Sequence, residues 1–127
     1  MNGERIQGIG GVFFRARDPE ALKRWYGEHL GIDLEDYGTT FTAAAGDRTV
    51  WAPFPADTGY FGREDQQLMV NYRVRDLDAM VGQLRSAGVE VEEHSEEHEY
   101  GRFAWATDPE GNRLELWQPP AGDYPGD

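Results

Sequence analysis

Gly11-Val-Phe-Phe-Arg-Ala-Arg-Asp18 and Met69-Val-Asn-Tyr-Arg-Val-Arg-Asp76 are one segment written twice. Val12/Val70, Arg15/Arg73, Arg17/Arg75 and Asp18/Asp76 are identical at this spacing, and Phe14/Tyr72 is close. The match continues through Ala21/Ala79 and Leu22/Met80; one residue then drops out, and Gly31-Ile-Asp-Leu-Glu35 meets Gly88-Val-Glu-Val-Glu92. Toward the end of each half, Thr49-Val-Trp-Ala-Pro53 aligns with Glu115-Leu-Trp-Gln-Pro119. Matches in the same order along a 127-residue chain argue for tandem duplication. The first repeat spans about 6–55 and the second about 67–120. Between them lies a glycine- and charge-rich linker, 56–66, and a tail, 121–127, is expected to fray.

Local signals give each repeat the same plan. Val12 to Ala16 and Leu68 to Val74 are rich in β-branched and aromatic residues and read as strands. Asp18-Pro19-Glu20 opens a helix with a capping carboxylate, a proline in the first turn and an acid near the positive helix end. Asp76 opens the second helix alike. Leu22, Trp25, Tyr26 and Leu30, and then Leu77, Met80, Val81 and Leu84, recur at helical spacing, with Gly31 and Gly88 as stops. Further strands are predicted at Asp33 to Tyr37, Phe41 to Ala45 and Arg48 to Ala52. In the second repeat they fall at Glu90 to His94, Gly101 to Thr107 and Arg113 to Gln118, with Asp108-Pro-Glu-Gly-Asn112 as a hairpin loop. The expected fold is α+β: two tandem βαβββ units whose sheets enclose a cavity, with the helices outside.

The length suits one domain, 1–127, with a single core. A net charge of −12 argues against nucleic acid or an anionic membrane surface as partner, since both need clustered lysine and arginine. No apolar run reaches membrane-spanning length. Met1 to Gly11 has neither the basic start nor the apolar core of an export signal, so the cytoplasm is the expected compartment. With no cysteine there is neither a disulfide nor a thiolate metal site.

The tandem βαβββ plan, with Asp108-Pro-Glu-Gly-Asn-Arg-Leu-Glu-Leu-Trp117 closing the second unit, resembles the vicinal oxygen chelate superfamily over about residues 6–120. That group includes glyoxalase I, bleomycin-resistance proteins, fosfomycin-resistance enzymes and extradiol dioxygenases. The resemblance implies up to four inward metal ligands, on the first and last strands of each unit. Carried over, these positions are Gly11, Met69, a residue near Thr49, and Glu115. A divalent ion needs several nitrogen or oxygen donors converging at about 2 Å, and of these four only Glu115 is a strong ligand. A one-residue slip would substitute Gly10, Val12, Val50 or Leu68, which add no donor. No cofactor is therefore expected, and a divalent metal is disfavoured. The resemblance also implies a homodimer.

Alternation along the strands places Phe13, Arg15, Trp51, Asn71, Arg73, Arg113, Glu115 and Trp117 on one inward face. Such a mixture of aromatic and polar groups suits a flat organic ligand. Equally open is that the tryptophans fill the core and that Glu115 pairs with Arg15, Arg73 or Arg113. A carboxylate in an apolar pocket is favoured in its neutral form and can act as acid or base, which makes Glu115 the candidate catalytic residue. His94 and His98 fall in Glu92-Glu-His-Ser-Glu-Glu-His-Glu99, which reads as a solvated acidic loop. The expected function is metal-free binding of a small aromatic or cationic molecule in the cavity between the repeats. The alternatives are a metal-dependent lyase, isomerase or dioxygenase with Glu115 as ligand or base, and a partner-binding role. Whether the chain is an enzyme stays open; glyoxalase-like lyase or isomerase chemistry is the enzymatic expectation.

Overall fold

The structure, a computed structural model, describes residues 3–121, so most of the expected tail lies outside the described residues. These residues form two helices and eight strands, an α+β fold with both parallel and antiparallel pairing. The chain divides into two compact units: one from Gly10 to Val70, the other joining the N-terminal segment up to Ile9 with the chain from Asn71 onward. Among the described residues no helix is long and apolar enough to cross a membrane.

In the first unit the strands run in the order β2 (Thr39–Thr42), β3 (Arg48–Pro55), β1 (Ile6–Ala16, of which Gly10 onward belongs to this unit), with β2–β3 antiparallel and β1–β3 parallel. Pro53 and Pro55 sit beyond the last β2 partner, the Thr39↔Trp51 pair, where β3 has lost that neighbour and a missing N–H is tolerated. Helix α1 (Pro19–Leu30) starts as its sequence dictates: Asp18 Oδ1 accepts from Ala21 N at 3.0 Å, and Gly31 ends the helix in the left-handed region at φ 71°. Its packing differs from the helical-spacing expectation, because Trp25 is 50% and Leu30 63% exposed while Lys23 is buried. The Lys23 ammonium reaches Asp36 O at 2.6 Å and Glu20 Oε1 at 2.7 Å. That tether helps explain why the predicted strand Asp33 to Tyr37 is irregular: Glu35 and Gly38 exchange backbone hydrogen bonds in a tight turn, leaving no ladder to join.

In the second unit the order is β4 (Leu68–Val74, of which Asn71 onward belongs to this unit), β8 (Arg113–Gln118), β7 (Gly101–Thr107), β5 (Glu90–Val91), with β6 (Glu96–His98) also paired to β7. The β4–β8 pair is parallel and β7–β8 antiparallel around the Asp108–Asn112 loop. There Asp108 Oδ1 accepts from Glu110 N and Asn112 N, each at 2.9 Å. Helix α2 (Leu77–Ser86), capped by Asp76, lays Leu77, Met80, Val81 and Leu84 on one sheet face against Val74, Ala104, Leu114 and Leu116. The predicted strand Glu90 to His94 stops at Val91, and the acidic stretch expected to be a solvated loop re-enters the sheet as β6.

Candidate functional site

On the sheet face away from the α2 core, the β-ladders of the second unit align a polar and aromatic set. Asn71 stands opposite Glu115 and Arg73 opposite Trp117 across β4–β8. Trp105 faces Glu115, Phe103 faces Trp117 and Thr107 faces Arg113 across β7–β8. Since paired residues share a face, Asn71, Arg73, Phe103, Trp105, Arg113, Glu115 and Trp117 lie on one surface.

Glu115 is its centre, 1% exposed, with Oε1 accepting from Asn71 Nδ2 at 2.5 Å and Oε2 from Trp105 Nε1 at 3.1 Å. Charge-assisted bonds of this kind are what allow a carboxylate to sit among indoles. Trp117 Nε1 donates to Tyr100 O at 2.8 Å, and its ring lies within 7° of parallel to Phe103. Arg73 Nη1 donates to Ile9 O at 2.6 Å. The Arg113 guanidinium lies over Trp105, 4.9 Å from the ring centroid, and forms a two-pronged pair with Glu92 at 2.7 and 2.8 Å. His94 stacks on Trp105 with ring centroids 5.7 Å apart and His98 on Phe103 at 4.9 Å, while Glu96 sits 2.9 Å from His94 Nε2.

The Arg113 hydrogen bonds hold the Glu92 carboxyl below its ordinary value of about 4.5, against the opposing effect of burial. A depressed folded-state value means that the pair stabilises the fold above about pH 4.5 and that this contribution is lost as pH falls through the lower folded value. Because both side chains keep some solvent contact, the effect should stay within about 1 kcal/mol. Thermal melts from pH 6 to 3 should therefore show a steeper loss for the wild type than for Glu92→Gln; parallel curves would count against the pair.

In the first unit the predicted residues do not share a face. Phe13 pairs with Ala52 and Arg15 with Phe54 in the β1–β3 ladder, and Phe13 and Phe54 rings are 5.4 Å apart. Trp51 lies on the opposite face, against Tyr26 of α1 at 4.8 Å and Phe14 at 5.4 Å. The ladders explain the correction. Phe13 and Asn71 are equivalent by the repeat, so the counterpart of Glu115 is Ala52, not Thr49. Alignment on the shared tryptophan and proline slips β3 by three positions, and an odd slip turns every side chain over. Arg15 is engaged in another way: its guanidinium donates to the carbonyls of Gln66, Ala56, Thr58 and Arg63 at 2.7 to 3.1 Å and covers Phe61 at 5.1 Å. It organises the linker.

The alternation reading did not include Phe103 and Trp105 in the inward set, and it left His94 and His98 in a solvated loop. A signal was available, since residues equidistant from Glu110 face each other in a hairpin around it, and that pairs Trp105 with Glu115 and Phe103 with Trp117. A groove of about 630 Å³ lies on the other side of this sheet, beneath α2. Ile6, Met80, Leu84, Val89 and Leu114 line it, and neither Glu115 nor Asn71 reaches it.

The residues present do not fit a resident metal. Both Glu115 oxygens face N–H groups, which cannot ligate, and no cluster of three or more histidine or acidic side chains suited to a metal occurs among the described residues. Gly11 and Ala52 of the first unit add no donor side chain.

A duplicated α+β fold with a buried carboxylate held by N–H donors on an aromatic sheet face is the class of fold and site that the chain presents. The chain belongs to the Glyoxalase/Bleomycin resistance protein/Dioxygenase superfamily, whose family model matches residues 8–116. Among curated proteins none matches significantly. Solved structures share the fold at low identity. Methylmalonyl-CoA epimerase in complex with methylmalonyl-CoA and NH4+ is 14% identical, with a TM-score of 0.71 over 95% of this chain and 100% of that one. Methylmalonyl-CoA epimerase from Mycobacterium tuberculosis is 21% identical, with a TM-score of 0.63 over 91% and 89%. The Mn(II)-bound glyoxalase from Novosphingobium aromaticivorans is 16% identical, with a TM-score of 0.66 over 91% of this chain and 40% of that one.

Proposed function

We propose that this chain binds a flat organic molecule, aromatic or cationic, on the Glu115 face of the second repeat, without a resident metal. The observation that carries the reading is the buried Glu115 carboxylate fixed by Asn71 and Trp105 within an aromatic surface. Aromatic walls with a few fixed polar groups are the usual make-up of small-molecule sites. The overall charge of −12 favours cations over anions. Absence of a metal from this reading is supported by the donor chemistry around Glu115 and by Gly11, Met69 and Ala52 at the other ligand positions.

Titration of the purified chain with flat aromatic compounds of either charge, followed by tryptophan fluorescence and calorimetry, should give saturable quenching by at least one compound. Trp105→Phe should weaken it several-fold, about 1 kcal/mol. Metal analysis of the same preparation decides against the superfamily's metal chemistry or for it. Stoichiometric zinc, nickel, iron or manganese that disappears in Glu115→Gln would overturn the proposal in favour of a metal-dependent lyase, isomerase or dioxygenase.

A further inference from the structure

Asn71 is 2% exposed, and its Oδ1 has no hydrogen-bond partner although Nδ2 is held on Glu115. Native chains keep few buried acceptors unmade, because each bears the full desolvation cost of the group. Much of the donor capacity around it is already directed elsewhere. Asn71 Nδ2 and Trp105 Nε1 serve Glu115, Trp117 Nε1 serves Tyr100 O, the Arg113 guanidinium serves Glu92, and Arg73 Nη1 serves Ile9 O. At the centre of the face Asn71 Oδ1 is a buried acceptor without a partner, and the Glu115 carboxylate lies beside it.

We infer that the ligand of this face is an aryl cation with an N–H donor edge, of the arylamidinium or arylmethylammonium class, whose N–H groups meet Asn71 Oδ1 and Glu115. The inference rests on the binding role proposed above and specifies its chemistry. The His94 ring, exposed and within 7° of parallel to Trp105, marks where a flat ring sits on this surface. A ligand ring that takes its place on the indole gains the same stacking and brings its donor edge toward the carboxylate. Amide orientation sets the polarity of the whole site. The turned amide is disfavoured, because it would set Oδ1 against Glu115 Oε1, acceptor against acceptor; the bond to Glu115 holds Nδ2 inward and leaves Oδ1 for the ligand.

The isosteric set benzamidinium, benzamide and benzoate tests this on the full chain by tryptophan fluorescence and calorimetry. Benzamidinium should bind at least tenfold more tightly than benzoate, with benzamide between them. Asn71→Ala should weaken benzamidinium by roughly tenfold, the loss of one charge-assisted hydrogen bond. Equal affinity for all three overturns the inference and leaves the binding role standing, and a preference for benzoate overturns it in favour of recognition by Arg73 and Arg113. No binding by any of the three overturns the inference, while the binding role stands or falls with the wider panel of flat aromatic compounds. Should Asn71→Ala fail to fold, the wild-type selectivity ratio decides alone.

Discussion

Glu115→Leu should lower the stability of the fold by about 3 kcal/mol, a fall in melting temperature on the order of 10 °C. Leucine fills most of the same volume, so packing changes little. What changes is that Asn71 Nδ2 and Trp105 Nε1, both on residues 2% exposed, lose their shared acceptor. Each buried donor left unmade costs about 1–3 kcal/mol, partly offset by no longer burying a charge. Glu115→Gln should fall between the two, because its amide supplies one acceptor and turns an N–H toward the other donor. The decisive measurement is a double-mutant cycle with Asn71→Leu. Removing both partners should restore part of the loss, with a coupling of about 1 kcal/mol or more by chemical denaturation. Simple additivity would mean that the short contact between them contributes nothing.

The second large effect is expected at Arg15. Arg15→Met keeps an unbranched side chain but removes both the guanidinium over Phe61 and the hydrogen bonds to the Gln66, Ala56, Thr58 and Arg63 carbonyls. Water can replace the more exposed of these, so the loss should be about 2–4 kcal/mol, less than four separate charged hydrogen bonds would suggest. Arg15→Lys should recover little, since one ammonium cannot span carbonyls that a planar fork reaches together. The readout is local as well as global: amide exchange across 56–66 should accelerate, and trypsin should cut after Arg63 much faster than in the wild type. Unchanged cleavage at Arg63 would show that the linker holds its shape without the clamp.

These two residues also show what a sequence can and cannot display. The helix starts at Asp18 and Asp76 and the Asp108–Asn112 hairpin were legible because each is written within a few adjacent residues. The Glu115 face was legible through period-two alternation once one strand was in register. Trp51 was misplaced because a matching tryptophan and proline aligned β3 by residue identity, whereas the true register is set by its ladder with β1. Arg15 was read as a ligand-binding group because its actual partners are main-chain carbonyls, which every residue possesses and no sequence marks. Lys23 had the same kind of partner in Asp36 O and was not noticed for the same reason.

The N-terminal segment has a temporal meaning. Glu4 N donates to Gln83 Oε1 and Gln83 Nε2 returns a bond to Glu4 O, across a separation of 79 positions, while Arg75 pairs with the Glu4 carboxylate. At about 5–20 residues per second of translation, Glu4 must stay unpaired for several seconds or more before Gln83 exists. During that interval the strand that starts at Ile6, with Ile6 and Ile9 still largely exposed even in the finished fold, is an open edge in a crowded cell. Arg5 and Glu4 at its start supply charge where an unprotected strand would otherwise recruit a stranger.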